Sequence, residues 1–114
     1  MAKTAKGIAE AFGAEAEVRY DRYNPVTFNH SEETDLAIEA VRTLAGTGSI
    51  DDKLKVRMGA EDFAHMLEAR PGAYIFIGNG ASAGVHNPAY DFNDDAIPYG
   101  IGYWVTLAEK ALSA

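Results

Sequence analysis

Few side chains in this 114-residue protein have the chemistry of a site, and their spacing sorts them. There is no cysteine, which excludes a disulfide scaffold, a thiolate-only zinc site and a cysteine nucleophile. The histidines are His30, His65 and His86, three in all and too few for a histidine-rich centre unaided. Gly78, Gly80 and Gly84 follow an apolar run as a dinucleotide-binding turn would. The third glycine falls one residue late, however, and Asn87-Pro88 stand where a helix should open, so a phosphate has no helix N-terminus to sit on. Asp91, Asn93 and Asp95 alternate like the first ligands of a calcium loop, but Ala96 replaces its glycine and Gly102 its terminal glutamate. They read as helix-capping acids. Glu61 and His65 stand four apart on one helix face, a spacing that can share a metal or form a polar surface pair, and they read as the solvated pair. Gly59-Ala60 ahead of a helix could bring a carboxylate to backbone N–H groups, or form an ordinary tight turn. His86 is the strongest single candidate. It lies in the glycine-rich loop beyond an apolar segment, where α/β sheets put their sites, and a neutral imidazole is a good zinc or manganese ligand.

The elements that must position these residues follow from periodicity. Hydrophobic residues make up 47% and charged residues 24%, a globular composition. The net charge of −7 is the wrong sign for a nucleic-acid or anionic-membrane partner. Apolar runs stay far short of the roughly 18 residues of a membrane span, and no signal-peptide core opens the sequence, so cytoplasm is the expected location. Ala5, Ile8, Ala9 and Phe12 recur at helical spacing, with Gly13 as the stop. Residues 14–20 then alternate small or apolar with charged side chains, as a surface strand does. After a Pro25-containing linker, Asn29 and Glu32 have the form of a capping box for a helix with Ala37, Ala40, Val41 and Leu44 buried and Gly46 at its end. Residues 54–58 suggest a short strand, and a helix from about Ala60 would turn Phe63, Met66 and Leu67 inward. Residues 73–77, AYIFI, suggest a strand buried on both faces. A last helix with Pro98 at its first position would bury Ile101, Trp104, Val105, Ala108 and Leu112. The predicted fold class is therefore α/β.

Three separated motifs carry a family resemblance: GAEDFAHML (59–67), PGAYIFIGNG (71–80) and VHNPAYDFNDDAIPYGIGYW (85–104). In that order they resemble the C-terminal end of the metal-dependent amidohydrolases of the aminoacylase and carboxypeptidase metallopeptidase family. That family includes hippurate hydrolases, N-acyl-amino-acid amidohydrolases and auxin-conjugate hydrolases. The earlier GAEAEVRY (13–20), with Pro25, Thr27 and Asn29, resembles the end of its inserted lid domain. Departures are small: Arg57 stands where proline is expected and Val85 where leucine is usual.

The resemblance implies residues 1–29 as the last helix and strand of an α+β lid, and 30–114 as the C-terminal part of a sheet-with-helices catalytic domain. It implies a centre of two divalent ions, zinc or manganese, of which this chain would supply only His86 as a metal ligand and no catalytic base. Gly59 and Ala60 inherit the turn that receives the substrate carboxylate, Glu61 shapes that turn, and Asn29 acts at the hinge or on substrate. In the whole enzyme the metals would polarise the amide and lower the pKa of a water, while a glutamate elsewhere moves the proton. The chain alone is expected to be inactive, to bind no metal, and to associate through an unpaired strand edge as a homo-oligomer. The competing reading is a non-enzymatic α/β module binding a carboxylate or a partner chain at the 59–63 turn.

Overall fold

The computed structural model describes residues 1–113, whose regular structure is four α-helices and one 3₁₀ turn at Thr47–Ser49. The helices are α1 (Ala2–Ala11), α2 (Ser31–Ala45), α3 (Phe63–Ala69) and α4 (Ala96–Leu112). The core forms where α2 crosses α4. Ala37 and Ala40 are buried on α2, small enough to let α4 approach, and Tyr103 of α4 is 4% exposed between them. Val41, Leu107, Ala73 and Ile75 pack around this cluster. At the crossing a Cβ on Gly102 would lie 2.7 Å from Leu44 Cδ1, so the Leu44 side chain fills the space this glycine leaves.

The predicted sheet is absent: none of the described residues is in a strand. Residues 14–20 and 54–58 carry no regular structure and expose most of their side chains. Residues 73–77 keep a strand's alternation without a ladder. Ala73 and Ile75 face the α2–α4 core, while Tyr74 packs tilted against Phe63 of α3 and edge-on against Phe76, at 5.4 and 5.2 Å between ring centroids. The expected burial on both faces fails too, with Phe76 59% exposed. The reason is physical: a strand is completed by its neighbours, and two-period alternation says which way side chains point, not whether another backbone lies alongside. Within 73–77 only Tyr74 has its backbone groups paired, and a side chain does the pairing.

The helix boundaries hold better than the faces. α1 ends in the full pair of C-terminal bonds, Gly13 N–H to Glu10 O and Ala14 N–H to Ala9 O, with Gly13 at φ 67°. α1 buries nothing. α3 begins at Phe63, three residues later than expected, and buries Ala64 and Leu67 while Met66 is 62% exposed. Pro98 is the third residue of α4, still among the positions whose N–H has no helical acceptor. α4 turns Tyr103 inward and leaves Ile97, Ile101, Trp104, Val105 and Leu112 outside, so the predicted stripe is its exposed face. With so little interior, the radius of gyration is 20.5 Å, against about 13 Å for a compact chain of this length.

Candidate functional site

His86 sits at the tip of an irregular loop whose backbone is fixed by turns. Asn87 N–H donates to Gly84 O at 3.2 Å, closing a four-residue turn, and Asn87 Oδ1 accepts from Ala89 N–H at 2.9 Å. His86 occupies the third position of the first turn at φ 67°, the only residue other than glycine in that region among those described. Such a turn favours glycine there, and an ordinary side chain held in that conformation costs about 1–2 kcal/mol. Strain of this kind gathers where a side chain must be aimed. The imidazole is exposed and free of hydrogen bonds among the described residues. Below the tip the loop is braced: Asn79 Nδ2 donates to Asp91 O at 2.7 Å, and Asn93 N–H donates to Asn79 Oδ1 at 2.8 Å.

Asn29 does not cap α2. The cap position is His30, without a side-chain cap bond, and the Asn29 amide is turned onto Tyr74. Asn29 Nδ2 donates to Tyr74 O and Tyr74 N–H donates to Asn29 Oδ1, each at 2.8 Å. One residue along, His30 N–H donates to Gly72 O at 3.0 Å and Gly72 N–H to His30 Nδ1 at 3.2 Å. The Asn29 amide, the His30 ring and the His30 backbone N–H thus supply the partner that residues 72–74 lack in a sheet. Just upstream, Thr27 Oγ1 is buried without a hydrogen-bond partner among the described residues.

Gly59, Ala60 and Glu61 are exposed and lie ahead of α3, whose first turn is closed by Ala64 N–H to Glu61 O and His65 N–H to Asp62 O. A Cβ on Gly59 would meet nothing within 4 Å, so no contact inside the chain demands glycine there. Burial pushes the Tyr74 phenol above its ordinary pKa, and the Glu61 carboxylate beside it pushes further in the same direction. His65 packs edge-on against Tyr23 at 6.0 Å rather than pairing with Glu61. The 91–95 acids do not cap α4 by side chain; Asn93 Oδ1 instead accepts from Asp95 N–H at 3.0 Å. Two positions that matter here were not singled out from the sequence. Tyr74 is hidden in an apolar run, and Asn79 stands between two glycines with partners 12 and 14 residues away.

The model of peptidase family M20/M25/M40 matches residues 3–110. The chain belongs to that family. Similar proteins include an N-acetylcysteine deacetylase of Bacillus subtilis (strain 168), 31% identical over 95% of this chain and 28% of the relative. An IAA-amino acid hydrolase ILR1-like 2 of Arabidopsis thaliana is 30% identical over 77% of this chain and 21% of its own length. A thermostable carboxypeptidase 2 of Saccharolobus solfataricus is 30% identical over 96% of this chain and 28% of its own length. The chain thus spans under a third of the curated relatives it matches. No solved structure gives a significant match.

Family M20/M25/M40 depends as a rule on divalent metals. The donor chemistry of His86 fits one position of such a centre, since an exposed imidazole with no competing hydrogen bond is free to coordinate. Among the described residues no three His, Asp or Glu side chains come together. A catalytic ion needs about three protein ligands. As for membranes, no helix among the described residues is long and apolar enough to cross one.

Proposed function

We propose that this chain is the C-terminal part of a cytoplasmic, homo-oligomeric M20 amidohydrolase that cleaves the amide bond of N-acyl amino acids of the hippurate type. His86 is the last protein ligand of a two-ion zinc or manganese centre. The observation that carries this reading is a histidine held in a left-handed backbone conformation at the tip of a braced loop, with its ring exposed. The names of the relatives, a deacetylase, an amino-acid-conjugate hydrolase and a carboxypeptidase, support the bond type.

When bound, the ions supply Lewis-acid polarisation of the scissile carbonyl and a more acidic water. This chain's own share is placement. His86 presents its imidazole. The exposed backbone of Gly59 and Ala60 meets the substrate carboxylate in a turn that Glu61 shapes, and leaving such donors unpaired with the wrong substrate costs about 1–3 kcal/mol each. Asn29 stands at the junction of residues 1–29, the lid end, with residues 30–114, the catalytic part. Its amide is committed to Tyr74, so it acts on the hinge rather than on substrate. The chain by itself is inactive, because one imidazole does not retain a catalytic ion.

The test is metal analysis of the complete hydrolase carrying His86→Ala. Metal affinity should fall by at least about 100-fold, together with hydrolysis of an N-acyl amino acid. Full metal occupancy at unchanged affinity would remove His86 from the ligand set.

A further inference from the structure

We propose that Asn79 is the positioning residue for His86, its side-chain amide clamping the neck of the loop so that the imidazole is presented from a fixed backbone. The inference rests on the reading of His86 as a ligand. The neck consists of Asn79 Nδ2 on Asp91 O at 2.7 Å and Asn93 N–H on Asn79 Oδ1 at 2.8 Å. One amide therefore takes an acceptor and a donor two residues apart on the returning chain, copying a rung of a β-ladder. Aspartate has the reach without the donor, and alanine has neither.

Ser82 adds a second brace, donating from Oγ to Asp91 O at 3.0 Å. Gly80, at φ 74°, turns the chain beside the clamp, and a Cβ there would stand 3.5 Å from Asn93 Nδ2. On the far side, Asn93 Oδ1 accepts from Asp95 N–H at 3.0 Å, and Ala96 N–H donates to Asn93 O at 2.9 Å as α4 begins. The clamp thus ties the His86 loop to a 17-residue helix. Between the neck positions no side chain is buried, so no core holds the tip in place. A left-handed histidine persists only where its surroundings over-determine it, and the neck and the Gly84–Asn87 turn are what surround it.

The experiment is solution NMR on the 114-residue chain with Asn79→Ala and Asn79→Asp, reading the dipolar amide-to-Hα coupling of His86 (its intraresidue Overhauser effect, strong at positive φ) and the exchange rate of the Asn93 amide. Asn79→Ala should speed Asn93 exchange about fivefold or more and move the His86 coupling from its left-handed value to an averaged one, with α2 and α4 amides unchanged. Asn79→Asp, which keeps the acceptor for Asn93 N–H, should fall between. An unaltered His86 coupling in Asn79→Ala overturns the proposal. In the metal-loaded complete enzyme, Asn79→Ala should weaken metal binding 10- to 100-fold. If instead the coupling moves while neither Asn79→Ala nor His86→Ala changes metal affinity, the ligand reading is what fails, and the clamp stands as a device of the fold alone.

Discussion

Replacing Asn29 by aspartate tests the junction with almost no change of shape. The native amide makes two 2.8 Å bonds to the backbone of Tyr74, one donated and one accepted, both partly buried. At about 1 kcal/mol per bond, Asn29→Ala should cost about 2 kcal/mol. Asn29→Asp keeps the acceptor for Tyr74 N–H and strengthens it, but sets a second carboxylate oxygen against Tyr74 O. At neutral pH it should therefore lose about 1–2 kcal/mol. Protonation repairs the fault, because the new carboxyl can then donate to Tyr74 O. The folded state holds that proton more tightly than the unfolded chain, where aspartate titrates near about 3.9. The recovered stability is complete below that value and disappears as pH rises through the higher folded pKa. A gain of about 1 kcal/mol corresponds to somewhat under one pH unit between the two values. Urea unfolding followed by far-UV circular dichroism, with Asn29→Ala as the reference at each pH between about 3 and 7, measures it. If both variants run parallel across that range, or Asn29→Ala costs under about 0.5 kcal/mol, the Asn29–Tyr74 clasp does not hold the junction.

Two further outcomes follow from the packing. Gly102→Ala gains about 1 kcal/mol of helix propensity but drives a Cβ to 2.7 Å from Leu44 Cδ1. In a Leu44→Ala background the same change should stabilise by about 1 kcal/mol, and in the native background it should gain nothing, a sign of coupling readable by urea unfolding. Stabilisation in both backgrounds would mean that the Leu44 side chain gives way without cost. Burial pushes the Tyr103 phenol above its ordinary pKa. The neutral form is thus favoured by folding, and the associated stability is whole below about pH 10 and is lost as pH climbs through the folded value. Tyr103→Phe should therefore delay alkaline unfolding and remove the late phenolate absorbance assigned to that ring, while an unchanged alkaline titration curve would place Tyr103 outside the core.

The helices were legible because their signals are local. Ala37, Ala40 and Val41 recur at helical spacing, and Gly13 and Gly46 mark real ends with φ near 70°. The face of α4 was not legible, because that helix is apolar nearly all round: Ile101, Trp104 and Val105 outweigh, on any hydrophobicity scale, the Gly102–Tyr103 surface that meets α2. The strands failed because residues 14–20, 54–58 and 73–77 have the pattern for pairing and no backbone beside them. Of the site, His86 was legible from its loop and its neighbours. Asn29 was recognised as a position but given a helix cap, since Asn followed by Glu32 reads locally as a capping box while its true partner is 45 residues away. Asn79 was invisible for the same reason of distance.

The outward face of α4 has a practical consequence. The chain holds a single tryptophan, and Trp104 is 66% exposed on that face. An indole in water emits at long wavelength, and one covered by hydrocarbon shifts toward the blue, so the protein carries its own optical report of whatever settles there. No label or engineered probe is needed to watch that surface change from wet to dry.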